Sequence, residues 1–192
     1  AESERVALAG TEALRGRAVS TGNSAQFSAS ANGNAVAGRY SVQVLNTARA
    51  QKLVSTADFA SGSDTVGAGT LTITVGSDSF ELTTTATTTL AELKTLINDA
   101  ADNAGVSASL MVVARDPLDA SAGTVARLVL AADATGADNS IGITVSDADT
   151  NGTDNLGLSR FYYSATDTVN SQLDEQQAAA DARIAVDGLT AF

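Results

Sequence analysis

Four residues have a spacing that could do chemistry. Asp147, Asp149 and Asn151 alternate and Gly152 follows. This pattern reproduces the first half of a calcium loop, with oxygens at its early odd positions and a glycine where the loop turns sharply. The loop's closing position then falls on Leu158, where a bidentate carboxylate is required. No helix pattern flanks the segment, so a solvated acidic turn accounts for it better. Gly67-Ala68-Gly69 precedes a strand pattern instead of opening a helix, so it reads as a linker and not as a phosphate cradle. Asn151-Gly152-Thr153 fits a glycosylation sequon and reads as chance.

The missing residue types exclude more. The chain has no His, no Cys and no Trp. It therefore lacks the commonest general base, the commonest zinc ligands and any thiol nucleophile. Its Ser and Thr hydroxyls have no His partner, and Lys52 and Lys94 are the only lysines. Asp116 and Asp119 flank Pro117 as turn residues. No enzyme, metal or cofactor is expected. One aromatic cluster remains, Phe161-Tyr162-Tyr163. It could form an exposed contact patch for a neighbouring subunit or partner. Strand alternation favours a different outcome, with Phe161 and Tyr163 buried and Tyr162 outside.

Charge narrows the partners. The 192 residues hold 22 acidic and 11 basic side chains, a net charge of −11. Such a surface repels phosphate backbones and argues against nucleic acid. No run reaches the roughly 20 apolar residues of a membrane span, so membrane insertion is not expected. Apolar residues make up 44% but aromatics only 4%; the cores should be thin layers of Val, Leu, Ile and Ala. The chain opens on Ala1 and ends within a strand pattern, so it reads as a piece of a longer chain.

The elements that must position these residues are mostly strands. Residues 1–19 read as helix, broken by Thr21-Gly22-Asn23-Ser24. Phe27, Ala29 and Ala31 alternate, Asn32-Gly33-Asn34 turns, and Tyr40, Val42 and Val44 share one strand face. Residues 57–69 read as a linker at a domain boundary. Leu71, Ile73 and Val75 alternate, Gly76-Ser77 turns, and Phe80 and Leu82 continue, giving a hairpin. Thr89-Leu90-Ala91-Glu92 is a capping box. It opens a helix with the apolar stripe Leu90, Leu93, Leu96 and Ile97, to be stopped at Gly105. Strands follow at 106–110, 127–130, 141–145 and 158–163. Residues 170–181 are ambiguous between helix and strand. The run 183–187 is a strand ending in Asp187-Gly188, a strong hairpin signal.

The expected class is therefore α+β, mainly β. Residues 20–57 and 159–192 form a discontinuous β-rich domain, closed by pairing of the 183–187 strand with the early strands. Residues 58–158 form an inserted α+β domain of hairpin, helix and further strands.

Three stretches carry a family resemblance. They are Ala37-Gly38-Arg39-Tyr40-Ser41-Val42-Gln43-Val44 with Ala48 to Leu53; Gly69 to Gly136, in the order strand, helix, Ala104-Gly105-Val106-Ser107-Ala108, Leu128-Val129-Leu130 and Thr135-Gly136; and Ala180 to Gly188. Together they resemble the flagellar hook-associated proteins that cap the filament. The second stretch is similar to the inserted motif that flagellins share with hook-associated proteins. The third, ending Val186-Asp187-Gly188, separates caps from flagellins.

The resemblance implies a secreted, extracellular structural protein at the filament tip. It implies a homo-oligomeric ring that guides flagellin folding and polymerisation, and in some members adhesion to host mucin or cell surfaces. It also implies terminal coiled-coil helices. A hook–filament junction or flagellin-like protein, or a β-sandwich adhesin module of the bacterial surface, are the alternatives.

Overall fold

The computed structural model describes residues 18–21, 29–147 and 151–191. The 1–19 helix expectation falls almost wholly outside this range, as does Phe27. The chain divides into two units, Ala1–Ser41 and Val42–Phe192. In the first, the described residues form no strand. The expected turn is present: Asn34 N donates to Asn32 Oδ1 at 3.1 Å and Ala35 N to Asn32 O at 3.1 Å. Tyr40 lies outside any strand and is exposed.

The second unit is mainly β, with one α-helix among the described residues. Its strands are β1 (Val42–Asn46), β2 (Lys52–Ser55), β3 (Gly69–Val75), β4 (Asp78–Thr84), β5 (Val106–Ala114), β6 (Thr124–Ala132), β7 (Ile141–Asp147), β8 (Leu173–Gln177), β9 (Arg183–Val186) and β10 (Leu189–Ala191). They form three antiparallel sheets, ordered β4-β3-β7, β5-β6-β2-β8 and β1-β9-β10. The expected β3–β4 hairpin is in register, with Leu71 opposite Leu82 and Ile73 opposite Phe80. The 183–187 strand does pair with an early one, β1. Asp187 and Gly188 both have positive φ, 49° and 84°, the geometry a two-residue hairpin needs. The ambiguous 170–181 stretch resolves into β8.

Helix α1 (Leu90–Asp99) begins at the expected capping box. Thr89 N donates to Glu92 Oε2 at 2.8 Å, and Glu92 N donates to Thr89 Oγ1 at 3.2 Å. Two further orphan donors of the first turn find backbone partners: Leu90 N on Asp64 O and Ala91 N on Gly62 O, each 2.9 Å. Those carbonyls belong to residues 57–69, so this stretch is no free linker. Its Phe59 and Val66 are buried, and Phe59 O accepts from Ala126 N at 2.7 Å.

Two details of the helix depart from expectation. Leu96 is 39% exposed while Leu90, Leu93 and Ile97 are buried, because the helix packs on β5 and β4 along a narrower stripe. The helix also ends well before Gly105. The Asn103 side chain takes over there, donating to Ile97 O and Val106 O and accepting from Gly105 N and Val106 N.

Hydrogen bonds from the Thr89 backbone and hydroxyl hold the Glu92 carboxyl below its ordinary value of 4.5. Its stabilising share is therefore present above that value and lost as pH falls through the lowered one. Thr89→Ala should lower stability at neutral pH by about 1 kcal/mol. Urea unfolding with an unchanged slope checks this. Glu92→Gln should flatten the acid limb of the stability profile.

Candidate interaction surfaces and the internal aromatic site

The aromatic cluster is built from a short 3-10 helix, Gly157–Phe161, where strand alternation had been expected. A three-residue turn places Leu158 and Phe161 on the same side, and both are fully buried. Phe161 stacks on Phe59, with centroids 5.8 Å apart and planes 10° from parallel. The Arg160 guanidinium sits 4.3 Å from the Phe59 ring centroid, a cation–π arrangement. It also donates to Gly157 O at 2.8 Å and Thr65 O at 2.9 Å. Burial lowers the Arg160 pKa, with Asp64 opposing. Tyr162 is half-buried, its hydroxyl 3.4 Å from Asp167 Oδ2. Tyr163 is buried and bridges β7 through Ile143.

Tyr163 leads to a polar node that sequence reasoning missed. Gln51 is 1% exposed. Its Oε1 accepts from Ile141 N at 2.5 Å, and its Nε2 donates to Tyr163 OH at 3.2 Å and Glu175 Oε1 at 2.5 Å. One side chain thus joins β7 of one sheet to β8 of another. Burial raises the Tyr163 pKa first, and the neighbouring Glu175 charge raises it further. The only sequence signal was a Gln within an Ala- and Arg-bearing run.

The Ser159 hydroxyl links two of the candidate loop residues, within hydrogen-bond distance of both Asp147 Oδ2 and Asn151 O. Asp147 Oδ2 accepts from Ser159 Oγ at 2.7 Å, and Asp147 Oδ1 is buried with no described partner. Asp149 lies outside the described residues. Among those described, no three His, Cys, Asp or Glu side chains converge on a metal position. An open groove beside α1 is lined by Thr83, Thr85, Thr87, Thr88, Glu92, Thr95 and Leu96. Its one carboxylate has a lowered pKa, the opposite of what a general acid needs. No helix among the described residues is long and apolar enough to cross a membrane.

Comparison with known proteins places this architecture. Residues 70–134 match the flagellin hook IN motif family. The polar flagellar hook-associated protein 2 of Vibrio parahaemolyticus is 31% identical over 165 residues, covering 86% of this chain and 22% of that protein. The chain thus spans about a fifth of that relative's length. The D2-D3 domains of the flagellar cap protein FliD from Escherichia coli align with a TM-score of 0.65 at 26% identity, covering 85% of this chain and 78% of that one. FliD (HAP2) from Pseudomonas aeruginosa aligns at 0.61 and 30% identity, covering 82% and 67%.

Two substitutions test the internal assignment. Phe161→Ala should destabilise by about 3–5 kcal/mol, read by denaturant unfolding; a loss below about 1 kcal/mol marks a surface residue. Tyr163 holds its proton more tightly when folded. Its contribution is complete below the ordinary value of 10.0 and lost as pH rises through the raised one. Tyr163→Phe should therefore lower stability at neutral pH and flatten the loss above pH 10.0.

Proposed function

The chain belongs to the flagellar hook-associated protein 2 family, the filament cap proteins, and from that membership we propose that it is a structural part of the cap at the distal, extracellular tip of the flagellar filament. Its work is assembly: a homo-oligomeric ring that promotes folding and polymerisation of flagellin subunits. The observation that carries this reading is the 70–134 unit of hairpin, capped helix and β5–β6 pair, which matches the flagellin hook IN motif. A structural, non-catalytic role is part of the same proposal.

The chain plan proposed with it keeps residues 20–57 and 159–192 as the outer segments and 58–158 as an insertion. The insertion's β5 and β6 extend the sheet begun by β2 and β8. Of the aromatic cluster, Tyr162 keeps surface with which to meet a neighbour. Adhesion to host mucin or cell surfaces is a further role within the same proposal.

The test is complementation. Expressed within its intact protein in a strain lacking its own cap, the chain should restore filament growth and stop leakage of unpolymerised flagellin. Filaments that remain absent, with the protein exported and stable, would overturn the reading.

A further inference from the structure

Among the described residues the four-stranded sheet ends in β5 on one side and β8 on the other, and these edges differ chemically. β5 is nine residues long and carries no charge and no proline. An edge of that kind is a template for pairing with another strand. Only its first half is guarded. The Asn98 side chain donates to Ala108 O at 2.9 Å and accepts from Ala108 N at 2.7 Å. Asn103 does the same for Val106, at 2.9 and 2.8 Å. Alternation places the backbone groups of Leu110, Val112 and Ala114 on that same outward side. Among the described residues no bond is formed to them, since β5 pairs with β6 alone. Met111 and Val112 are 50% and 70% exposed there. Arg115 follows the strand and Arg127 lies opposite Met111, and Asp58 pairs with both.

The other edge, β8, is short and acidic, with Asp174 and Glu175 exposed and no basic residue. We propose that the open half of β5 accepts the β8 edge of a second copy of this chain, so that the sheet runs on from copy to copy. The inference rests on the ring reading above and assigns it a surface. Strands β5, β6, β2 and β8 alternate in direction, so a copy placed alongside in the same orientation brings its β8 antiparallel to β5. The acidic edge meets an uncharged one, whereas β8 against β8 would set like charges opposite each other. A contact between two different patches is head-to-tail, and it closes into a ring when the rotation allows.

The chain has no cysteine, so introduced thiols report cleanly. Ala114→Cys and Gln176→Cys, on separate copies, are mixed and treated with a short bismaleimide. A crosslinked dimer that forms only in the mixture, and a ladder when both changes share one chain, is the expected result. Val112→Lys, with an unchanged circular dichroism spectrum, should abolish both. Crosslinking of Ala114→Cys alone would mean twofold β5–β5 pairing and overturn the proposal. Absence of crosslinks while sedimentation shows the unsubstituted protein assembling would discard this surface and leave the ring reading intact. Absence of assembly would remove both.

Discussion

The buried Gln51 amide is the constraint on which the second unit depends. A polar group at 1% exposure is tolerable only when its hydrogen bonds are met, since an unmet one costs about 1–3 kcal/mol. Gln51 meets its own by reaching two sheets at once: Ile141 N of β7, and Glu175 of β8 through Nε2. It also fixes the Tyr163 hydroxyl, whose backbone is bridged to β7. The apolar contacts around this node are non-directional; the amide sets how the two sheets meet. The Phe59–Phe161 stack closes the same joint from another side. One core cluster consequently runs from Leu53 through Ile73, Leu93 and Leu130 to Leu173.

This arrangement explains why the chain is poor in surface chemistry. Phe59, Phe80, Phe161 and Tyr163 are turned inward. Arg160 lies over a ring and is bonded to two carbonyls, and Arg127 is held by Ser55 O, Thr56 O and Asp58. What remains exposed includes acidic charge, apolar side chains such as Val112 and Leu118, and strand edges. Such features are surfaces for contact, in keeping with a family of filament caps.

The parts legible in the sequence were the local ones. Thr89 and Glu92 announce a helix start because both capping bonds lie within one turn. Asp187-Gly188 announces a hairpin because few residue pairs accept two positive φ angles. The alternating Leu71, Ile73 and Val75 show a half-buried strand. The parts that stayed hidden depend on distant partners. Gln51 and Tyr163 are separated by 112 positions, and nothing near Gln51 marks it as buried. Residues 57–69 look like a linker by composition, yet their carbonyls cap α1 and their Phe59 completes the stack. At 158–163, the pair Leu158 and Phe161 fits a period of three and the pair Phe161 and Tyr163 a period of two. Only the presence of Phe59 decides between them. The half-guarded edge of β5 was equally hidden, because Asn98 and Asn103 read as ordinary helix and loop residues.

The joint at Gln51 makes a direct demand on cooperativity. Native-state hydrogen exchange under rising denaturant measures it. Amides of β3, in the sheet of β7, and of β6, in the sheet of β8, should converge on one opening isotherm. Two isotherms that stay separate up to global unfolding would contradict the shared core.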